Sequence, residues 1–182
     1  MLPPDLQITI FPEKKLQKFH DSIIQQIETM ERKSFPKNEM MAIKEEISKK
    51  INKMLIAYCK IIDDDKKCNN NNNNNNNKKF EIKILGYLIY SYTSSTTTLP
   101  LTKILKLCVH PLYQKKGLGT RLLNNLFEKT GVPQRSKAKL HVDTKREGAI
   151  CLYQKVGFKI IEQINNYYSV GRDAWFMEYS EE

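Results

Sequence analysis

Apolar positions recur along this chain with two periods, and their alternation predicts an α/β architecture. Gln7–Phe11 is a short strand candidate closed by Pro12. Leu16, Phe19, Ile23, Ile27 and Met30 then share one helical face, which predicts a helix ending near Phe35-Pro36. Met40, Ile43, Ile47, Ile51 and Met54 repeat that spacing and predict a second helix. Met54–Ile62 reads as a strand, and so does the β-rich run Phe80–Thr93. Within Leu101–Val109, the residues Leu101, Lys103, Leu105, Leu107 and Val109 fall on one face of a strand. Gly117–Thr130 reads as a helix with Leu122, Leu123, Leu126 and Phe127 toward a core. Lys137–Asp143 is a strand, and Ala149–Val156 is a helix broken by Gly157. Phe158–Gln163 and Ala174–Tyr179 are strands joined by the turn-rich NNYYSVGRD. The order β–α–α–β–β–β–α–β–α–β–β predicts a mixed central sheet flanked by helices.

One segment has no period. Residues 63–79 run DDDKKC, nine Asn and two Lys. Such a stretch has no apolar surface to bury and is expected to be a disordered loop between two strands. The remainder fits a single domain spanning residues 1–182, a size that supports one full core. The longest apolar stretch, Ile84 to Tyr90, is far short of the roughly 20 residues that span a bilayer. The N-terminus lacks a basic region followed by an apolar one, so no secretory signal and no membrane attachment are expected. The 4 cysteines are widely spaced and there are only 3 histidines, which argues against a metal site and a disulfide scaffold. They read as reduced thiols of a cytoplasmic, or also nuclear, protein. The net charge of +10 is diffuse, with 16 basic against 12 acidic residues in the first hundred and 14 against 8 in the rest. It suits an anionic ligand or acidic partner, and without a nucleic-acid motif a nucleic-acid partner is not expected.

The strongest local chemistry is VHPLYQKKGLGT, residues 109–120. Here Gln114, Lys115, Lys116, Gly117, Leu118, Gly119 and Thr120 lie between a strand and a helix. Glycines let the backbone turn tightly and approach a ligand, and the first helical amides point outward at the positive end of the dipole. That is a pyrophosphate cradle, and it is neither a Walker loop nor a dinucleotide fingerprint. Further on come Leu140-His141-Val142 and LYQKVGF, residues 152–158.

These two segments together resemble the GNAT superfamily of acyl-CoA-dependent N-acetyltransferases. Residues 114–119 match its Q/R-x-x-G-x-G/A loop, and residues 152–158 match its LY-x-K-x-GF signature. Over 140–158, with IIEQINNYYS following, the chain is similar to catalytic subunits that acetylate protein N-termini, those acting on initiator-Met chains above all. Phe35-Pro36 matches their helix-1 to helix-2 loop, and GRDAW resembles the same region of ribosome-associated subunits. The ERKSFP stretch, residues 31–36, is also similar to arylalkylamine acetyltransferases.

The resemblance implies a GNAT fold and acetyl-CoA as co-substrate. Its pyrophosphate would rest on the amides of residues 116–120, and its pantetheine would lie along Leu107, Cys108 and Val109. It implies direct attack by the amine, without an acyl-enzyme. Tyr153 takes the general-acid position and His141 the position of a catalytic histidine. Phe35 and Pro36 would face Tyr167 and Tyr168 across the acceptor. Lys103 stands where Met-type subunits carry a catalytic tyrosine, Glu39 where they carry a substrate-contacting tyrosine, and Arg146 where the family carries Asn. Either His141 or a desolvated Lys103 could therefore be the base. The expected activity is N-acetylation of an amine, preferably a protein α-amine, with an auxiliary subunit possible. A small-molecule amine acetyltransferase and a weakly catalytic CoA-binding subunit are the alternatives.

Overall fold

A computed structural model describes residues 1–62, 80–94, 96–132 and 136–179. The Asn-rich segment read as a disordered loop lies outside the described residues. The elements are β1 (Gln7–Phe11), α1 (His20–Ser34), α2 (Ile43–Ser48), β2 (Asn52–Ile62), β3 (Phe80–Thr93), β4 (Leu101–Val109), α3 (Leu118–Thr130), β5 (Lys137–Asp143), α4 (Glu147–Lys155), β6 (Phe158–Ser169) and β7 (Arg172–Tyr179). Seven strands form one sheet in the order β1-β2-β3-β4-β5-β7-β6. The pair β4–β5 is parallel and the others are antiparallel. This is the expected mixed sheet flanked by helices.

Strand alternation divides the core between the two faces. Met54, Ile56 and Tyr58 of β2 meet Ile23, Ile27 and Met30 of α1, and Ile43 of α2. Leu55, Ala57 and Cys59 point the other way, into a cluster with Leu118, Leu122 and Leu126 of α3, and Tyr153 of α4. Both faces of β2 and β3 are thus covered, which is why these strands read as nearly continuous apolar runs.

Three expectations change. The predicted second helix shrinks to six residues, Ile43–Ser48. The N–H of Asn52 bonds to the Lys49 carbonyl at 2.9 Å, and from Asn52 onward the chain pairs with β3. Sheet pairing thus overrides the helical spacing of Ile51 and Met54. The β6–β7 connection is also shorter than predicted. Tyr167 and Tyr168 lie on β6 itself, and the turn is only Val170-Gly171. Side chains hold this irregular hairpin together. Asn166 adopts a φ of +55° and its Oδ1 accepts the Gly171 N–H at 2.7 Å, while Asp173 accepts the Asn166 N–H at 2.8 Å.

The third change shapes the site. Ile89 of β3 opposes Lys106 and Tyr90 opposes Ile104, so Leu105 is an extra residue in β4. The bulge reverses the alternation. Ile104 packs with the α3/α4 cluster, Leu105 with the α1/α2 cluster, and Lys106 meets Glu31 and Phe35. Leu107 and Val109 then return to the α3/α4 side. The single face predicted for Leu101, Lys103, Leu105, Leu107 and Val109 is therefore split at Leu105.

Gly86 on β3 lies against this strand, and a Cβ there would stand 2.9 Å from the Cys108 carbonyl oxygen. Backbone cannot give way as a side-chain tip can. Gly86→Ala is expected to destabilise the protein by about 1–3 kcal/mol, an overpacking cost. Gly148, with nothing within 4 Å of its added Cβ, serves as the control. Gly148→Ala in α4 should be neutral or stabilising by about 0.5 kcal/mol. Urea unfolding of the two variants checks both signs.

Candidate active site

Parallel pairing of β4 with β5 runs from Leu101↔Lys137 to Ile104↔Leu140 and stops there. The bulge at Leu105 turns β4 away, and beyond it the backbone groups of β4 that face β5 lack a strand partner. A cavity of about 340 Å³ opens in this gap. Ile104, Leu107 and Val142 line it from the α3/α4 side, and Leu105, Lys106 and His141 from the α1/α2 side. The opening therefore connects the two faces of the sheet. Tyr153 and Ala149 of α4 close one end, and Phe35, Glu39, Tyr167 and Tyr168 stand at the other.

Several anticipated residues meet in this cavity: Phe35, Leu107, His141, Tyr153, Tyr167 and Tyr168. Pro36 is exposed and does not line it. Its carbonyl accepts the N–H groups of Glu39 at 2.9 Å and Met40 at 3.1 Å, which shapes the loop behind Phe35. The Cys108 side chain faces the opposite side of the sheet, where its thiol bonds Ser34 Oγ at 3.4 Å and burial raises its pKa. Lys103 does not line the cavity either.

His141 stacks on Tyr167 with ring centroids 4.6 Å apart, at 10°. Its Nδ1 is buried without a hydrogen-bond partner among the described residues. Burial lowers its pKa, with help from Lys103 and Lys139, so the ring is a free base at neutral pH. Tyr153 packs edge-on against Phe158, and burial raises its pKa, which keeps the phenol protonated. Tyr168 donates to the His141 carbonyl at 3.3 Å, and burial pushes its pKa up to about 12.

A charged scaffold surrounds these groups. Lys106 lies over the Phe35 ring at 3.8 Å, donates to the Glu39 carbonyl at 2.7 Å and sits 3.7 Å from Glu31. Glu31 is 2% exposed and accepts the N–H of Met41 and the Tyr87 hydroxyl. Arg146 also lies over Phe35, at 4.6 Å, and reaches Glu39 at 3.2 Å. Arg172 joins Glu39 to Asp143. Of the charged residues, the sequence singles out Glu39 and Arg146 by position, as departures from a family pattern, while Glu31 and Arg172 enter only as members of the stretches ERKSFP and GRDAW. Lys106 carried a usable signal, a lysine inside the apolar run ILKLCV, and the bulge that turns it inward did not.

The loop expected to cradle a pyrophosphate follows the end of β4, the strand whose Leu107 lines the cavity. Gly117 caps α3 with a φ of +82°, and the space before its missing Cβ is open for 4 Å. At Gly119 a Cβ would meet the tip of the Leu152 side chain, Cδ2 at 2.7 Å, so the helix start and α4 are close-packed here. The first-turn amides of α3 have no intrahelical acceptor, and Gln114 is held by a bond from its side-chain amide to the Val109 carbonyl at 3.0 Å. The loop fits a pyrophosphate.

The Arg172 bridge has a measurable consequence. Asp143 is held below the ordinary carboxylate range: burial opposes this, but the Lys145 N–H and Arg172 outweigh it. Its stabilising contribution is therefore present above the unfolded-state pKa of about 4 and is lost as pH falls through the lower folded value. Arg172→Met should cost about 3 kcal/mol at pH 7, since it strips a partner from two buried carboxylates. The acid limb attributable to Asp143 should vanish in that variant, as read by urea unfolding between pH 3 and 7.

Comparison with known proteins adds independent findings. A family model described as an acetyltransferase (GNAT) domain matches residues 76–160. N-alpha-acetyltransferase 50 of Danio rerio is 45% identical over 64 residues, which cover 34% of this chain and 36% of that protein. The match thus spans about a third of that relative's length. The fold is similar to that of Arabidopsis thaliana Naa50 in complex with the bisubstrate analogue CoA-Ac-MVNAL, with a TM-score of 0.64 and 22% identity, covering 97% of this chain and 99% of that one. It is also similar to Arabidopsis thaliana NAA60 in complex with acetyl-CoA, with a TM-score of 0.66 and 18% identity, covering 95% and 98%. At these identities the structural likeness is one of fold.

Proposed function

We propose that this chain, which belongs to the GNAT acetyltransferase superfamily, transfers an acetyl group from acetyl-CoA to the α-amino group of protein N-termini. The observation that carries the reading is the gap between β4 and β5. It lets a cofactor on the α3/α4 side and an acceptor on the α1/α2 side meet through the sheet. Support for a peptide acceptor comes from the N-alpha-acetyltransferase relatives and from the aromatic lining that Phe35, Tyr167 and Tyr168 give the cavity.

Acetyl-CoA supplies the thioester. The amides of residues 116–120 would hold its pyrophosphate, with Lys115 and Lys116 adding charge, and pantetheine would run along Leu107–Val109. There an N–H of β4 polarises the carbonyl oxygen. The amine nitrogen bonds to the carbonyl carbon as the carbon–sulfur bond breaks. His141 takes the amine proton through a water, and Tyr153 gives its proton to the departing sulfur. Neither Cys108 nor Cys151 is needed as a nucleophile. An α-amine of pKa about 7.7–8.0 keeps a sizeable free fraction at pH 7, whereas a lysine of pKa about 10.4 does not. One weak base then suffices.

Three single variants test the roles. Tyr153→Phe should lower kcat by about 10–100-fold with CoA affinity retained, at the low end of general-acid effects, because a thiolate leaves readily. His141→Ala should lose most between the His141 pKa and that of the amine, where the ring is a free base and free amine is still scarce. Lys103→Met should stay close to wild type, since Lys103 does not line the cavity. The His141 limb should fall below pH 6.5, following its lowered pKa. Pre-steady-state turnover on N-terminal peptides, lysine peptides and arylalkylamines across pH 5–9 checks these together. Full activity in His141→Ala with collapse in Lys103→Met would reverse the base assignment, and turnover confined to arylalkylamines would replace the acceptor.

The cradle has its own test. CoA should raise the melting temperature by mass action. Gly117→Asp should abolish that shift, since it places a negative side chain in the phosphate site at a left-handed position. An unchanged CoA affinity would remove the loop from the cofactor site.

A further inference from the structure

A second cavity, of about 270 Å³, lies between α1 and the ends of β3 and β4. It shares no lining residue with the acceptor cavity or with the phosphate cradle. Lys33 at the end of α1, Lys83 on β3 and His110 just past β4 converge on it from three separate elements. Among the described residues no Asp or Glu lines it and neither lysine has an acidic partner. The wall between the cations carries neutral groups that can donate hydrogen bonds, the Ser22 hydroxyl and the Gln25 amide among them.

His110 is already oriented for an anion. Its Nδ1 accepts the Leu112 N–H at 3.3 Å, which leaves the hydrogen on Nε2 as a donor. Burial, then Lys83, then Lys33 lower its pKa, so the two ammonium groups act on the ring without an offsetting negative charge. The cationic lining also continues outward. Lys83 and Lys116 approach the same Tyr113 ring, at 5.7 Å and 5.6 Å, which joins this cavity to the edge of the phosphate cradle. Like charges held together around a concave, acid-free site repel one another until an anion enters.

We propose that the cavity formed by Lys33, Lys83 and His110 binds a phosphoryl anion, through two ammonium groups and the His110 Nε2–H. The phosphoryl group is either that of a free small molecule or the ribose 3′-phosphate of CoA. A carboxylate ligand fits less well, because three donor groups on three elements match a tetrahedral anion with several acceptor oxygens.

The experiment titrates inorganic tripolyphosphate at constant ionic strength and follows the His110 ring resonances and the heat of binding. One arm uses the protein saturated with dephospho-CoA and the other the protein saturated with CoA, so that the cradle is filled in both. Saturable binding that raises the His110 pKa in both arms supports a free ligand. Binding in the dephospho-CoA arm alone supports the 3′-phosphate as the source. The Lys33→Gln/Lys83→Gln double variant should bind tripolyphosphate at least 10-fold more weakly while keeping its melting temperature, since both substitutions are at the protein surface. Absence of a His110 response in both arms, or equal affinity in the double variant, overturns the proposal. CoA affinity itself is measured separately, so failure of the cradle and failure of this site are told apart.

Discussion

One extra residue in β4 governs the arrangement of the site. Were Leu105 absent, Lys106 would take a Leu105-like place in the ladder and β4 could stay paired with β5 along its length. With the bulge, pairing ends at Ile104↔Leu140, and the strands part at the height of His141 and Leu107. A parallel pair in the middle of a sheet normally has every backbone group engaged. Giving up that pairing costs hydrogen bonds, and the structure keeps the cost local, since β3–β4 pairing resumes on both sides of the bulge and β5–β7 runs without a break. What is gained is a passage through an otherwise closed sheet, with unpaired backbone groups on its wall.

The loop after α1 is kept in place by charged side chains as well as by the packing of Phe35 and Met41 on the α1/α2 cluster. Glu31 and Lys106 fasten residues 39–41 from inside, through one backbone carbonyl and one backbone N–H. Arg146 and Arg172 fasten Glu39 from outside. Buried ion pairs of this kind contribute little net stability, because desolvation offsets the attraction. Their directional bonds do select one loop geometry, and that geometry keeps Phe35 in the lining of the cavity with Tyr167 and Tyr168. The two cations over the Phe35 ring are part of the same device. They add to the packing of the ring against the α1/α2 cluster.

The extent to which the sequence discloses this differs by element. β3, β4 and β5 are legible to the residue, because alternation and β-branched runs are local signals. The turn at Gly117 into α3 and the helix broken by Gly157 are legible to within two residues, because glycine at a left-handed turn is a local signal as well. The second helix is misread because Ile51 and Met54 satisfy a helical period and a strand equally well, and only pairing with β3 decides. The bulge is invisible for a similar reason. Ile104-Leu105-Lys106 alternates acceptably in either phase, and the choice belongs to the partner strand. The Glu31–Lys106 and Arg172–Asp143 contacts join residues 75 and 29 positions apart in the chain. No local pattern announces such pairs, so the ionic scaffold emerges only from the assembled fold.

The electrostatics of the cavity bear on what it can admit. Glu39 is neutralised by two arginines, Asp143 by Arg172, and Glu31 by Lys106, so the fixed charges satisfy one another before anything binds. His141 adds no charge, since burial keeps it deprotonated. An ammonium entering such a site would lose hydration without meeting a spare carboxylate, and desolvation would favour its neutral form. A neutral amine loses far less, and the unpartnered Nδ1 of His141 is an unused polar contact in the cavity wall. The balance of charges thus favours the nucleophilic form of the acceptor. It also favours an amine whose pKa lies close to neutrality, for which shedding the proton costs least.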